Sequence, residues 1–224
     1  PNFNVFDEVR LFSRADIQGP WDAGPLRVGT PICEDAWYPD VCEAMQESGA
    51  ELLMVPNGSP YFRDKMEVRL NQMVARVTET GLPLVYLNMV GAQDDQVFDG
   101  GSFVLNKHGQ LALQMPHFVE SYAHVDFVRE GGEWVAQEGE KAHVPDSLEQ
   151  DYHAMVLALR DYMGKTGFKK VLLGLSGGVD SAIVAAIATD ALGPDNVRCV
   201  MLPSEYTSEG SLTDAKAAAE ALGV

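Results

Sequence analysis

Cysteine and basic residues are scarce in this chain, and long apolar runs are missing. The three cysteines, Cys33, Cys42 and Cys199, include no CxxC pair, so we expect neither a disulfide scaffold nor a cysteine-based metal site. The 16 Lys and Arg residues against 33 Asp and Glu residues give a net charge of −17, which would repel nucleic acid and anionic membranes. No apolar run approaches the roughly 18 residues of a membrane span. We therefore expect a cytoplasmic protein with no nucleic-acid or membrane partner.

The chain does have enough apolar material for a core. It contains 224 residues, 46% of them hydrophobic, which suits one large domain or two of ordinary size. Both ends interrupt a pattern: Pro1 opens within a segment that looks already under way, and an α/β fold would place another strand after the helix that stops at Gly223. We expect an internal fragment of a longer protein.

The first part of the chain alternates short apolar segments with amphipathic ones, which is typical of an α/β fold. From Gly100 onward the pattern becomes that of antiparallel strands joined by tight turns, so a mixed sheet is predicted. The predicted elements are strands over 27–33, 51–56, 83–91, 100–106, 111–115 and 121–127, and helices over 39–47 and 65–80.

An acidic, Gly-containing stretch without apolar periodicity follows, and it predicts a linker between two domains. The predicted boundaries are a first domain over 1–128, a linker over 129–146 and a second domain over 147–224. Successive β-α-β units in the second domain predict a parallel sheet wrapped by helices. Its elements are helices over 147–167 and 180–192, strands over 169–176 and 196–203, and a last helix that starts near Ser211.

The sequence SGGVDS, residues 176–181, joins a predicted strand to a predicted helix. Glycines at such a junction let backbone N–H groups approach an anion, and the following helix presents the positive end of its dipole. The simpler alternative is a tight turn in which Asp180 or Ser181 caps the helix. No GK[ST] follows, so the motif is not a Walker A loop.

This six-residue run resembles the pyrophosphate loop of the ATP-pyrophosphatase family, whose members cleave ATP between the α and β phosphates to adenylate an oxygen. The resemblance implies that Asp180 also helps to hold Mg²⁺, a hard cation that takes carboxylate and phosphate oxygens. It implies an ATP site formed by Ser176, Gly177, Gly178, Val179, Asp180, Ser181 and, from the later MLPS segment, Leu202.

A second motif, GTPICEDAW, spans residues 29–37. A lone cysteine in this position is often only a small buried residue. The segment resembles the nucleophile motif of the nitrilase superfamily, whose Glu, Lys and Cys hydrolyse carbon–nitrogen bonds through a thioester. By that resemblance Cys33 is the nucleophile and the backbone N–H of Glu34 is an oxyanion donor. The family's catalytic Glu and Lys are expected before Pro1.

The resemblance extends to NGSPY (57–61) and the residues beyond it, where glutamine-using members of the superfamily bind the amino-acid end of the substrate. It implies that Ser59 and Lys65 bind glutamine. Phe3 stands where relatives often carry a Tyr that lines the glutamine pocket, so one hydrogen bond would be lost there.

Together, an amidase of this type followed by a pyrophosphate-loop domain resembles the family of glutamine-dependent NAD⁺ synthetases. The implied fold is the C-terminal part of an α-β-β-α nitrilase-like sandwich, followed by the first half of a parallel-sheet domain of the adenine nucleotide α-hydrolase type. The implied reaction is the last step of NAD⁺ biosynthesis, with glutamine, Mg-ATP and deamido-NAD⁺ as substrates, in a homo-oligomer.

Two alternatives stay open. The chain could belong to another ATP-dependent amidating ligase with an SGGVDS loop, such as those that amidate aspartate or a purine nucleotide, although their glutaminase parts are built differently. It could also be a catalytically inactive fragment that only binds a nucleotide, because only one member of the catalytic triad is found in it.

Overall fold

The computed structural model describes residues 11–13 and 15–224. The chain forms two compact units: the first holds the described residues up to Val90 together with Phe98–Pro145, and the second holds Gly91–Val97 together with Asp146–Val224. None of the helices in the described ranges combines the length and the apolar character that a membrane span requires.

The described residues form twelve strands and five α-helices. The strands are β1 (Trp21–Ala23), β2 (Leu26–Gly29), β3 (Leu52–Asn57), β4 (Leu84–Asn88), β5 (Val90–Gln93), β6 (Gln96–Asp99), β7 (Phe103–Leu105), β8 (Leu111–Gln114), β9 (Phe127–Glu130), β10 (Glu133–Ala136), β11 (Val171–Gly174) and β12 (Val197–Val200). The α-helices are α1 (Pro39–Glu47), α2 (Lys65–Thr80), α3 (Ser147–Thr166), α4 (Val179–Leu192) and α5 (Glu209–Leu222). Short 3₁₀ turns cover Cys33–Trp37, Lys107–Gly109 and Pro194–Asn196.

The first unit is built on a six-stranded sheet with the order β1-β2-β3-β4-β7-β8. The central strands β2, β3 and β4 run parallel, whereas the pairs β1/β2, β4/β7 and β7/β8 are antiparallel, so the predicted mixed sheet is confirmed. Alternation along each strand sends every second side chain to the same face. Helices α1 and α2 cover one face, where side chains such as Leu53, Leu84 and Phe103 pack against Met73 and Val77.

The other face of this sheet keeps exposed apolar side chains. Leu87 is 56% exposed and Met54 is 36% exposed, although the strands that carry them are central. An α-β-β-α sandwich covers this face with a second sheet. The exposed side chains therefore agree with the predicted fold class.

The second unit contains β11 and β12, which pair in parallel with Val171 opposite Val197, as predicted. Its core gathers Leu175, Ala185 and Ala215 from the strand end, α4 and α5. The segment Gly91–Val97, which lies within the predicted first domain, also belongs to this unit. There Asp161 of α3 accepts the Ala92 N–H at 2.7 Å, and Lys165 one turn later donates to the Ala92 carbonyl.

Several sequence-based boundaries are wrong, for identifiable reasons. The strand predicted over 27–33 ends at Gly29, because Pro31 has no N–H to donate and Cys33 adopts a positive φ. The predicted segment 83–91 is split between β4 and β5. Of the strand predicted over 121–127, only Phe127 is extended and paired, and Tyr122 is 88% exposed.

The remaining differences concern the linker and the helix caps. The hairpin of β9 and β10 runs from the end of the predicted first domain into the predicted linker, and its turn is made by Gly131 and Gly132 at positive φ. The N-cap of α4 is Gly178 rather than Asp180 or Ser181.

Candidate active site

Cys33 occupies a strained turn directly after the second strand. Its φ is +52°, a left-handed conformation that non-glycine residues rarely adopt and that is common at functional sites. The Asp35 carboxylate accepts the Ile32 N–H at 3.1 Å and closes the turn. Arg76 of α2 donates to the Trp37 carbonyl at 3.2 Å, so the end of the turn is also fixed.

The surroundings of the Cys33 sulfur act on its pKa in both directions. Burial raises the pKa of the thiol, and the Glu34 carboxylate raises it further. Backbone N–H groups of Gly58 and Glu34, and then the Lys65 ammonium, act in the opposite direction because they stabilise the thiolate. Both backbone donors reach the reactive sulfur, so the carbonyl oxygen of a substrate held beside that sulfur would lie near them. The Glu34 donor was predicted from the sequence, and the Gly58 donor was not.

Lys65 is a buried cation at the first position of α2. Its side chain lies between two aromatic rings, with Nζ 4.4 Å from the Trp37 centroid and 4.3 Å from the Phe62 centroid. Burial and then the Arg69 guanidinium together lower its pKa to about 8, against the opposing influence of Cys33, Glu34 and Asp99. The helix dipole also disfavours a cation at this end. A cation that is buried and also lies at the unfavourable end of a helix dipole indicates a functional position.

Ser59, two residues after the end of β3, is buried and held from two sides. Asn88 accepts the Ser59 N–H at 2.9 Å and donates to the Ser59 carbonyl at 3.2 Å. Arg69 donates from Nε to the Ser59 hydroxyl at 3.2 Å and from a terminal nitrogen to the carbonyl at 2.7 Å. Asp99 accepts from Arg69 at 2.8 Å, and His117 Nδ1 lies 3.2 Å from the same carboxylate oxygen.

The predicted glutaminase residues therefore meet in one region, with one gap. Cys33, Glu34 and Lys65 interact electrostatically, and Ser59 is linked to them through Arg69, which acts on Lys65. Phe3 lies outside the described residues. Asn88, Asp99 and His117 were not predicted from the sequence. An Asp and a His give no signal of burial unless their partners are known, and these partners are far away in the sequence.

The phosphate-type loop has the strand–loop–helix geometry that was predicted. Ser181 Oγ accepts the Ser176 N–H at 3.1 Å, and the two hydroxyls are 3.1 Å apart. Ser176 Oγ in turn accepts the Gly178 N–H at 3.3 Å, and Ser181 donates to the Gly178 carbonyl at 3.0 Å. These bonds hold the loop closed at the N-terminus of α4, where backbone N–H groups and the helix dipole attract anions.

Gly177 brings this loop close to the start of α5. Its φ is +84°, and a Cβ at this position would overlap the Ser211 carbonyl oxygen and lie 3.0 Å from the Ser211 Cα. Ser208 caps α5 by accepting the Ser211 N–H at 3.1 Å. The N-termini of two helices thus lie beside each other.

An open cleft of about 490 Å³ lies along this junction. Two of the residues predicted to bind ATP line it directly, namely Ser176 and Leu202, and Leu202 is 85% exposed. Asp180 is exposed in the first turn of α4. Within the described ranges no cluster of three metal-ligating side chains is present. The cleft is lined by Gly174, Leu175, Ser176, Val200, Met201, Leu202, Pro203, Tyr206, Thr207, Ser208 and Ser211.

Two family descriptions match the chain, one for each site. The carbon–nitrogen hydrolase family matches residues 3–134, which include Cys33, Ser59 and Lys65. The NAD synthase family matches residues 151–224, which include the loop at 176–181.

Curated relatives match over the whole chain. A glutamine-dependent NAD(+) synthetase from Rhodobacter capsulatus is 57% identical over 223 residues, covering 100% of this chain and 40% of the relative. One from Acinetobacter baylyi is 39% identical over 224 residues, covering 100% of this chain and 41% of the relative. The chain therefore spans about two fifths of the length of these relatives.

Solved structures agree with this result. A glutamine-dependent NAD+ synthetase from Acinetobacter baumannii in complex with ADP superposes with a TM-score of 0.94 at 38% identity, covering 100% of this chain and 42% of that one. An enzyme of the same description from Cytophaga hutchinsonii gives a TM-score of 0.70 at 20% identity, covering 92% of this chain and 38% of that one, which supports the fold alone.

Proposed function

This chain belongs to the carbon–nitrogen hydrolase family, and on that premise we propose that its first part hydrolyses the side-chain amide of glutamine. The observation that carries the proposal is the strained Cys33, whose sulfur faces the N–H groups of Gly58 and Glu34 and the Lys65 cation. Nothing in a purely structural cysteine requires these neighbours. We propose further that the second part uses the released ammonia for NAD⁺ synthesis.

In the first half-reaction the Cys33 thiolate attacks the amide carbon of glutamine. The carbonyl oxygen takes up the electron pair and is stabilised by the Glu34 and Gly58 N–H groups. The thiol proton passes through a general base to the leaving nitrogen, so ammonia departs and a thioester forms. Water then hydrolyses the thioester to glutamate and regenerates the thiol. We assign no residue of the described part of this chain to the general base.

Ser59 and Lys65 are the residues that we propose for the amino-acid end of glutamine. Both are buried, with relative exposures of 4% and 5%, so a substrate that reaches them leaves water. Lys65 supplies the positive charge for a carboxylate, and its position between Trp37 and Phe62 restricts where that charge can lie. Phe3 belongs to the same proposal.

The affinity for glutamine should fall as the pH rises through about 8, because Lys65 is charged below its pKa and neutral above it. We expect the KM for glutamine to rise by up to about tenfold per pH unit above that value. Steady-state glutaminase assays across this range measure the effect. The Lys65→Arg variant keeps its positive charge over this pH range, so the part of the KM rise that comes from Lys65 should disappear. Titration of glutamine itself affects the variant and the unmodified protein alike. Identical profiles would remove Lys65 from the glutamine site.

For the second half-reaction we propose that the cleft beside Ser176 and Leu202 binds ATP, with the loop at 176–181 around the phosphates. The Gly177 and Gly178 backbone and the Ser176 and Ser181 hydroxyls offer donors to phosphate oxygens, and Val179 opens the helix whose dipole favours them. When bound, Mg²⁺ would neutralise phosphate charge, and Asp180 is the carboxylate that we propose for it. The carboxylate of deamido-NAD⁺ is adenylated with release of pyrophosphate, and ammonia then displaces AMP.

Asp180→Ala should end NAD⁺ formation with either nitrogen donor, since both routes need the adenylate. Glutamine hydrolysis measured alone as glutamate release should persist. The matched control is Asp190→Ala near the other end of the same helix, where the carboxylate only accepts from Tyr152 at 2.7 Å. Full synthesis by the Asp180 variant would contradict the magnesium assignment.

The proposal is tested by assaying a protein that includes this chain and spans the full length of the curated relatives. Formation of NAD⁺, AMP and pyrophosphate from Mg-ATP, deamido-NAD⁺ and glutamine supports it. Amidation of aspartate or of a purine nucleotide would favour the other ligase class, although the carbon–nitrogen hydrolase match speaks against it. ATP binding without turnover would favour an inactive nucleotide-binding protein. Homo-oligomeric assembly and a cytoplasmic location stay predictions.

A further inference from the structure

A fully buried group of charged side chains lies behind the proposed glutamine site. The side chains of Arg69 and His117 are 0% exposed, and that of Asp99 is 1% exposed. Burying charges costs several kcal/mol per ion, and replacing such groups by apolar residues is often neutral or stabilising. Stability alone is therefore a weak reason for this arrangement.

The hydrogen bonds of this group form one continuous chain that leads to Ser59. Asp99 Oδ2 accepts from a terminal nitrogen of Arg69 at 2.8 Å and from His117 Nδ1 at 3.2 Å. The guanidinium, held from that side, directs its remaining donors to the Ser59 hydroxyl at 3.2 Å, the Ser59 carbonyl at 2.7 Å and the Pro60 carbonyl at 3.3 Å. The chain of contacts ends on the residue proposed to bind substrate.

Two further features fix the position and the ionisation of the side chains in this group. Gly101 has a φ of +62°, and a Cβ there would overlap the His117 ring and come within 2.7 Å of Nδ1, so only glycine leaves room for the imidazole. Burial acts to raise the pKa of Asp99, but hydrogen bonds from His117 and Arg69 outweigh it and lower the pKa. The carboxylate is therefore ionised and accepts from both neighbours.

The direction of these hydrogen bonds decides what Ser59 can do. An arginine side chain has donors and no acceptor, so the Ser59 hydroxyl must accept from Arg69 Nε. Its own proton is then the one group that it can donate, and the Tyr86 phenol oxygen is an acceptor already within reach, since a hydrogen bond from the Ser59 side chain opposes the burial that raises the pKa of Tyr86 to about 12. A hydroxyl that donates, in a site that also holds the Lys65 cation, suits a carboxylate, whereas an ammonium group would need an acceptor.

From this geometry we propose that Arg69, Asp99 and His117 are positioning residues that orient the Ser59 hydroxyl as a donor to the α-carboxylate of glutamine. The inference rests on the proposed glutaminase function. It assigns substrate discrimination to residues that do not touch the substrate.

Comparing three amides separates the contribution of the α-amino group of glutamine from that of its α-carboxylate. Glutaramate is glutamine without its α-amino group, and butyramide lacks both the α-amino group and the α-carboxylate. The ratio of kcat/KM for glutaramate to kcat/KM for butyramide therefore measures recognition of the carboxylate alone. Glutamate release from glutamine in the unmodified full-length protein is measured first, and its absence would refute the proposed function before this inference is reached.

We expect Ser59→Ala, Arg69→Lys and His117→Gln each to lower the glutaramate to butyramide ratio by roughly 10- to 100-fold, the value of one hydrogen bond to a charged group. The loss should appear as a higher KM for glutaramate, with little change in kcat/KM for butyramide. The double variant of Ser59→Ala with Arg69→Lys should be no worse than Ser59→Ala alone, because both changes remove the same interaction.

Other outcomes overturn the inference. Equal losses for both amides, or additive losses in the double variant, would show a structural role only. Losses for glutamine without losses for glutaramate would place the α-amino group at Ser59. Ammonia-driven NAD⁺ formation and thermal unfolding report whether each variant folds. Ser59→Ala keeps the buried ion pair, so an unchanged ratio in that variant alone is sufficient to refute the inference.

Discussion

Replacing Cys33 with Ala is expected to lower glutamine-driven NAD⁺ formation by at least about 10³-fold, because no other group forms the thioester. Ammonia-driven formation should stay close to that of the unmodified protein, since the nucleophile acts only in the release of ammonia. Both rates are measured as NAD⁺ produced from Mg-ATP and deamido-NAD⁺ in the full-length protein.

Cys42→Ala is the matched control for this change. Cys42 lies on α1 in the same unit and is 0% exposed, and burial raises the pKa of its thiol to about 11. A thiol of this kind is inert. The control should therefore retain glutamine-driven synthesis with at most a small loss of stability. Loss of ammonia-driven synthesis in Cys33→Ala would contradict the assignment of separate sites to the two half-reactions.

Replacing Gly177 with Ala should have an effect of similar size on the other half-reaction. The new side chain requires a positive φ that alanine disfavours, and its Cβ overlaps the Ser211 backbone at the start of α5. Backbone cannot move away as a flexible side chain does, so the loop at 176–181 must shift. A shift of about 1 Å in a phosphate-positioning loop can cost about 100-fold in rate.

Both nitrogen donors should be affected equally by Gly177→Ala, and pyrophosphate release should fall with NAD⁺ formation. Gly164→Ala provides the control, because this glycine lies within α3 and a Cβ there meets no atom within 4 Å. That change should be neutral or stabilising, since alanine favours a helix over glycine. Normal pyrophosphate release by Gly177→Ala would show that the loop does not position the phosphates.

Short-range sequence patterns were enough to predict most of the helices and strands that carry the two sites. The helices over 39–47 and 65–80 were predicted with the observed bounds, because Pro39 suits a first turn and Gly81, at a φ of +69°, ends α2. The parallel pair β11/β12 and the loop between β11 and α4 also followed from the β-α-β pattern.

What was missed depends on contacts between distant parts of the chain. Asp99 is 30 residues from Arg69 and 18 from His117, so no local spacing connects them. The segment Gly91–Val97 belongs to the second unit, where Asp161 and Lys165 bind the Ala92 backbone.

The strand predicted over 121–127 failed for a related reason. Alternation of polar and apolar residues predicts a strand only where a neighbouring strand can pair with it, and within the described part of the chain residues 121–126 have none. The hairpin of β9 and β10 was missed because its charged side chains gave little apolar periodicity, although Trp134 and Ala136 pack inward.

The most direct test of the central claim is pyrophosphate release from Mg-ATP and deamido-NAD⁺ by the full-length protein, with ammonia and then glutamine as nitrogen donor. We expect NAD⁺, AMP and pyrophosphate in equal amounts with both donors, and glutamate in addition with glutamine. If ATP stays intact with ammonia as donor, or if another acceptor must be supplied before pyrophosphate appears, the proposed synthesis is wrong.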